Sequence, residues 1–257
     1  MTHSTLAPLQ AGTVTLVGGG PGDPGLLTVA GLEALRQADV VLVDQLAPQQ
    51  SLQACRPDCE VIWVGKIPRG EFVPQQRINQ LLVKHARAGR RVVRLKGGDN
   101  FVFGRGGEEW QHCADAGIAV RVVPGVTSSV AAPALAGIPL THRGMVQGFT
   151  VVSGHVAPGD PRSDLDWAAL ATTGTTLVIL MGVHHLAAIV DALMAGGLAA
   201  TTPAAVVARA GHPDMRTVRG ELGGIVALAE SIAPPAVTVI GDVAALRLDE
   251  VPGRPRR

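Results

Sequence analysis

Three short segments constrain this chain more than any other feature. Gly18-Gly19-Gly20-Pro21-Gly22-Asp23-Pro24-Gly25, Lys96-Gly97-Gly98-Asp99 and Pro124-Gly125-Val126-Thr127-Ser128 each follow a run rich in β-branched residues and each precede a helical pattern. A strand that runs through a glycine turn into a helix is the unit of a parallel sheet covered on both faces. Thr13–Val17, Val40–Val43, Val61–Val64, Arg91–Lys96 and Val120–Val123 are expected as strands. Val29–Ala38, Gln75–Ala88, Gly107–Ala116 and Ser128–Ala136 are expected as the intervening helices. Thr28 is placed to cap the first. Gly89 and Gly117 end the next two, and Pro133 should kink the last or delay its start.

Thr141–Gly148 shows neither period and reads as a linker. Beyond it, strands are expected at Thr150–Ser153, Thr176–Met181, Ala204–Ala208, Met215–Gly220 and Val237–Ile240. Helices are expected at Asp166–Ala171, His184–Ala195 and Leu222–Ile232. The last strands follow one another with little helix between them, so this second sheet is expected to be mixed. The fold class is therefore α/β in two domains, residues 1–140 and 149–257, joined by 141–148. The tail after Val251 is expected to fray.

Composition narrows the function. Hydrophobic residues make up 47% of 257, enough for a sizeable core, and no apolar run approaches the roughly 20 residues of a membrane helix. Residues 1–12 carry no cationic patch followed by an apolar run, so no secretory leader is expected. Cys55, Cys59 and Cys113 have no paired metal spacing and read as reduced thiols of a cytoplasmic protein. No metal site is expected, since His184 and His185 are adjacent rather than spaced along one helix face. With 22 basic and 21 acidic residues, the chain lacks the excess of a nucleic-acid binder. The charge is uneven, however. From Glu60 to Arg105 ten basic residues face three acids, which reads either as solvated helix faces or as a local site for an anion.

The first glycine turn is not a dinucleotide fingerprint. Asp23 occupies the third glycine position, and Pro21 and Pro24 remove amide donors that a phosphate would need. It is expected to shape a pocket instead. Asp99 stands at a strand's carboxyl end, where open α/β sheets bind ligands. Phe101 and Phe103 read first as core residues and second as a face for a flat ring. Thr127 suits a helix cap and a ligand contact equally. Asp44 and Lys66 follow two other strands and should point into the same edge crevice. Ser153-Gly154-His155 is no nucleophile elbow, and no P-loop lysine motif is present.

Taken in order, VGGGPGDPGLLT (17–28), RLKGGDNFVFGRGGEE (94–109), VVPGVTSSVAAPALAGIPLTHRG (122–144) and PPAVTVIGDV (234–243) resemble the tetrapyrrole methylase family, and within it the C-methylases of uroporphyrinogen III. The resemblance spans about residues 13–247. It implies two α/β domains with a ligand cleft between them, usually in a homodimer, and S-adenosyl-L-methionine as methyl donor, leaving S-adenosyl-L-homocysteine. By motif position it implies donor contacts at Pro21, Gly97, Gly98, Asp99, Val102, Thr127, Ser128, Met181, Ala210 and Gly241. Asp44 resembles the family's proton acceptor and Lys66 its proton donor. Arg105, His142 and Arg143 resemble substrate-side residues. The implied reaction is methylation at ring carbons 2 and 7, through precorrin-1 to precorrin-2, feeding cobalamin or sirohaem synthesis. No nucleic acid or membrane partner is implied.

The chain departs from the family at Val43, where tyrosine is common, at Asn100, where proline is common and the turn should loosen, and at Ser128, often alanine. The alternatives carried forward are a methylase of a later corrin-ring intermediate and a non-catalytic donor-binding protein; a ribosomal RNA ribose methylase of the same fold is disfavoured by the GGGPGDP and FGRGGEE forms and by the near-neutral charge. A nicotinamide-dependent dehydrogenase is disfavoured by the glycine spacing.

Overall fold

A computed structural model describes residues 6–65 and 73–248. The chain divides into two compact units between Thr127 and Ser128. Lys66 and the tail after Val251 lie outside the described residues.

The first unit runs β1 (Val14–Gly18), α1 (Val29–Gln37), β2 (Val40–Val43), β3 (Glu60–Trp63), α2 (Gln75–Arg87), β4 (Val92–Lys96), α3 (Gly106–Asp115) and β5 (Val120–Val123). Its sheet is entirely parallel, in the order β3-β2-β4-β1-β5. The central strands β1, β2 and β4 are buried along their whole length, as near-continuous valine and leucine runs require when both faces are covered. Alternation divides each strand between two cores. Val41, Val43, Val93 and Leu95 pack with Ala30, Ala34 and Leu35 of α1 on one face. Val40, Leu42 and Val92 pack with Ile78 and Leu82 of α2 and Cys113 of α3 on the other. Thr28 caps α1 as expected, its hydroxyl accepting from the Gly31 amide at 3.0 Å.

The second unit runs α4 (Ser128–Leu135), β6 (Phe149–Ser153), α5 (Trp167–Ala171), β7 (Thr176–Leu180), α6 (Leu186–Ala195), β8 (Pro203–Ala208), β9 (Arg216–Glu221), α7 (Ile225–Leu228) and β10 (Ala236–Ile240). Its sheet is mixed, in the order β6-β7-β10-β8-β9, with only β6 and β7 parallel. The helix α4, expected in the first domain, packs here instead. β5 is an edge strand with no following strand of its own sheet. Ala132, Ala136 and Ile138 bury themselves against Val178, Val207 and Val239. Residues 141–148, read as a linker, also fall within this unit and hold a single β-bridge between His142 and Val146. Pro133 sits inside α4 without ending it. The helix expected over Leu222–Ile232 shortens to a 3-10 turn at Leu222–Gly224 and four residues of α7, because Gly223 and Gly224 are poor helix formers.

Candidate active site

The sheet order of the first unit creates a switch point. From β1 the chain crosses to one side through α1, and from β4 it crosses to the other through α3, the two helices covering opposite faces. A crevice opens beyond the carboxyl ends of two neighbouring strands whose connections diverge in this way. All three glycine turns meet there. Gly20 and Gly98 exchange hydrogen bonds, from Gly98 N to Gly20 O at 2.8 Å and from Gly20 N to Gly98 O at 3.1 Å. A Cβ on Gly125 would lie 2.3 Å from Gly98 O and 2.5 Å from Gly18 C, so these backbones touch where no side chain fits. The loop after β2 closes over them: a Cβ on Gly97 would meet Leu46 O at 2.6 Å, and one on Gly19 would meet Pro48 Cδ at 2.6 Å. The structure thus gathers Pro21, Asp44 and Gly97-Gly98-Asp99 at one sheet edge.

The Asp99 carboxylate fixes this arrangement. Oδ1 accepts from the Phe101 amide at 2.8 Å and Oδ2 from the Gly125 amide at 3.1 Å. Among the described residues, each oxygen keeps a second acceptor site. Asn100 does not loosen the turn. Fully buried, it donates from Nδ2 to Val123 O at 2.9 Å and to Leu16 O at 3.4 Å, and its own carbonyl accepts from the Gly106 amide at 3.0 Å. It therefore ties the turn to β1, β5 and the start of α3.

Behind Asp44 lies a cluster that the sequence reading missed. Leu42 pairs with Arg94 in register, so Asp44, Arg94 and Lys96 project from the same face, beneath α2 and α3. The Arg94 guanidinium donates from Nη2 to Asp44 Oδ1 at 2.5 Å, from Nε to Glu109 Oε1 at 2.9 Å, and from Nη1 to the carbonyls of Leu95 and Leu42. Lys96 Nζ donates to Glu109 Oε1 at 3.2 Å, lies 3.1 Å from Oε2, and stands 3.9 Å from Asp44 Oδ2. Gln75 Nε2 adds a bond to Glu109 Oε1 at 3.1 Å. The side chains of Arg94, Lys96 and Glu109 are 2%, 3% and 0% exposed, against 27% for Asp44. Two cations and two carboxylates balance one another, which buried charge requires. Burial pushes the Lys96 ammonium below the ordinary lysine value, the Arg94 charge pushes the same way, and Glu109 and Asp44 oppose both. The sequence carried a signal for the cations, though not for their partners. Arg94 and Lys96 lie two apart on a strand that is otherwise apolar, and a cation on such a strand must find an acid.

The same cluster narrows the anion-site reading of residues 60–105, of which Lys66 and Arg69 lie outside the described residues. Arg94 and Lys96 are spent inside it, Arg91 is committed to Asp39, and Arg90 to Glu60. Lys84 and Arg87 lie in the last turn of α2, which leads back toward the amino-terminal start of β4, away from the crevice. Arg105 is half exposed and grips Glu108 with two bonds, of 2.8 and 2.7 Å. That bond draws the Glu108 carboxyl below its ordinary value. Phe101 and Phe103 are exposed rather than core, at 50% and 45%, and Phe101 stacks on Trp110 at 6.2 Å. Val102 between them is half-buried.

Left-handed backbone marks further candidates. Phe103, Arg105, Met181 and Arg209 have φ between 51° and 58°. Non-glycine residues in this region cost about 1–3 kcal/mol each and gather at functional sites. In the second unit Met181 follows β7 and Ala210 follows β8, strands that run the same way. Gly241 does not join them. β10 is antiparallel to both neighbours, so Gly241 lies at the opposite sheet edge, its amide bonded to Pro203 O at 2.9 Å. Met181 and Ala210 instead adjoin the start of β10. Thr127 closes the first unit, and Ser128 opens α4. His142 and Arg143 are exposed, with His142 Nδ1 3.0 Å from Arg143 O.

Among the described residues, no group of three or more His, Cys, Asp and Glu side chains is placed to hold a metal ion, and no helix is long and apolar enough to cross a membrane. The family model of tetrapyrrole (corrin/porphyrin) methylases matches residues 13–226. Siroheme synthase 1 of Yersinia pseudotuberculosis is 52% identical over 233 residues, 90% of this chain and 49% of that protein. The chain thus spans about half the length of the curated relatives it matches. Among solved structures, uroporphyrin-III C-methyl transferase from Thermus thermophilus, complexed with S-adenyl homocysteine, is 41% identical with a TM-score of 0.77, covering 91% of this chain and 93% of that one. A cobalt precorrin-4 methyltransferase is 26% identical with a TM-score of 0.82, covering 91% and 97%.

Proposed function

The chain belongs to the tetrapyrrole (corrin/porphyrin) methylase family, and we propose that it methylates carbons 2 and 7 of uroporphyrinogen III, giving precorrin-2 through precorrin-1 for sirohaem or cobalamin synthesis. One observation carries the reading. A half-buried carboxylate, Asp44, stands beside the Gly97-Gly98-Asp99 turn, at the crevice where three glycine turns meet. The 41% identity to a uroporphyrin-III C-methyl transferase, over nearly the whole of both chains, supports this substrate over a later corrin-ring intermediate.

S-adenosyl-L-methionine supplies a methyl group already activated on a sulfonium, and S-adenosyl-L-homocysteine is left. The residues present suit a cationic donor. The Gly97–Asp99 turn carries an acid as its only charged side chain, and that acid keeps free acceptor sites. Pro21, Val102, Thr127, Ser128, Met181 and Ala210 are the other donor contacts in this reading. Catalysis rests first on orientation, since holding two reactants in attack geometry supplies roughly 7–11 kcal/mol. The ring carbon provides the electron pair for its new bond to the methyl group, while the donor's sulfur keeps the pair of the bond that breaks. The methylated ring then loses a proton, which Asp44 accepts. Lys66 keeps the proton-donor role, and Arg105, His142 and Arg143 hold substrate carboxylates. The working form is a cytoplasmic homodimer.

The test is an anaerobic assay with uroporphyrinogen III and S-adenosylmethionine, followed by mass. Gain of two methyl groups supports the reading. Donor binding with no gain moves the substrate to a later intermediate.

A further inference from the structure

Asp44 has two unlike oxygens. Oδ1 is held at 2.5 Å by Arg94 Nη2, from a guanidinium that is 2% exposed. Oδ2 accepts no hydrogen bond among the described residues, and Lys96 Nζ stands 3.9 Å from it, beyond bonding distance. The cations are themselves anchored. Glu109, fully buried on α3, takes Arg94 Nε at 2.9 Å and Lys96 Nζ at 3.2 Å on Oε1, and Gln75 from the start of α2 adds a third bond to the same oxygen.

A lone Arg94–Asp44 pair would suffice to neutralise the aspartate. The second cation and second carboxylate add a buried pair whose desolvation is costly and whose replacement by apolar residues is often neutral or stabilising. Stability alone therefore does not call for Lys96 and Glu109. Their geometry does something else: the cluster grips the carboxylate from one side and leaves the other oxygen unbonded.

We propose that Arg94, Lys96 and Glu109 are positioning residues for Asp44, fixing Oδ1 so that Oδ2 is the oxygen that takes the proton from the substrate. Arg94 sets the rotation of the carboxylate. Lys96, held by Glu109, places a charge beside Oδ2 without bonding to it. The inference rests on the proton-acceptor role of Asp44 in the proposed reaction. None of the three positioning groups needs to touch substrate.

The experiment compares wild type, Lys96→Met and the charge-balanced double variant Lys96→Met/Glu109→Gln. Turnover at saturating substrate, both KM values and the Kd for S-adenosylhomocysteine are measured on each. Lys96→Met is expected to lower kcat about 10- to 100-fold, within the range that misplacement of a catalytic group produces, with both KM values and the Kd changed less than twofold. The double variant keeps the Arg94–Asp44 pair and is expected to fold, to bind S-adenosylhomocysteine like wild type, and to show the same loss of kcat. Wild-type turnover in both variants overturns the inference. So does a loss that appears equally in KM and Kd, or failure of both to fold, since each makes the cluster purely structural. An inactive wild type would instead refute the proposed reaction, and the two failures are thereby distinguished.

Discussion

Replacing Gly125 by alanine tests the convergence of the glycine turns. The new Cβ would stand 2.3 Å from Gly98 O, 2.5 Å from Gly18 C and 2.6 Å from Gly18 Cα. Carbon atoms pack best at about 3.5–4.0 Å, so at least one turn must retreat by about 1 Å. All three contacts are backbone, and no flexible side chain can yield. Overpacking of this kind costs about 1–3 kcal/mol. The upper end applies here, because displacement also strains the 3.1 Å bond from the Gly125 amide to Asp99. A loss of about 3 kcal/mol lowers Tm by roughly 6–12 °C in a chain of this size. Gly107→Ala is the control: it lies in α3 with no atom within 4 Å of its Cβ position. It should be neutral, or stabilise by up to about 1 kcal/mol through helix propensity. Thermal unfolding of both variants is the assay, with S-adenosylhomocysteine binding beside it. Gly125→Ala should also weaken that binding. If it melts like wild type, or if Gly107→Ala falls as far, the turns are not in contact as described.

Asp39→Asn should destabilise the fold by about 1.5–3 kcal/mol at pH 7, the range for hydrogen bonds to charged groups, since Asp39 accepts three bonds from Arg91 and one from Arg56. Those bonds, Arg91's foremost, hold its carboxyl well below the usual carboxylate range. A depressed folded-state pKa gives stability that is complete above the unfolded value of about 3.9 and is lost as pH falls below it. Denaturant melts should therefore show a constant gap from wild type at pH 6–8 that narrows below about pH 4, and a gap that widens in acid would refute the pairing. Asp44→Ala should lose most turnover and keep donor binding, and near-normal turnover would remove Asp44 from the reaction. Arg105→Ala should raise the substrate KM more than the donor Kd, whereas equal changes would make the Arg105–Glu108 pair structural.

The parallel sheet was legible because its strands are long β-branched runs and its turns are glycines at their carboxyl ends. The place of Asp44 was legible for the same reason, since it directly follows a buried strand. The cluster behind it was not, because its partners are joined by topology. Arg94 meets Asp44 across 50 residues only once β4 is inserted beside β2, an order no local pattern encodes. Strand direction was equally hidden. Gly241 resembled a donor contact by motif, and the antiparallel course of β10 carries it to the other end of its sheet. Asn100 was misjudged by comparison with proline, because a loop position in sequence proved to be a buried amide tying together two strands.

The most direct test of carbon methylation uses S-adenosylmethionine labelled with carbon-13 in its methyl group, incubated anaerobically with uroporphyrinogen III and examined by carbon NMR. Two labelled methyl groups attached to ring carbons 2 and 7 are the predicted result. Label on a carboxylate oxygen or a ring nitrogen, or none on the macrocycle while the donor still binds, would contradict it.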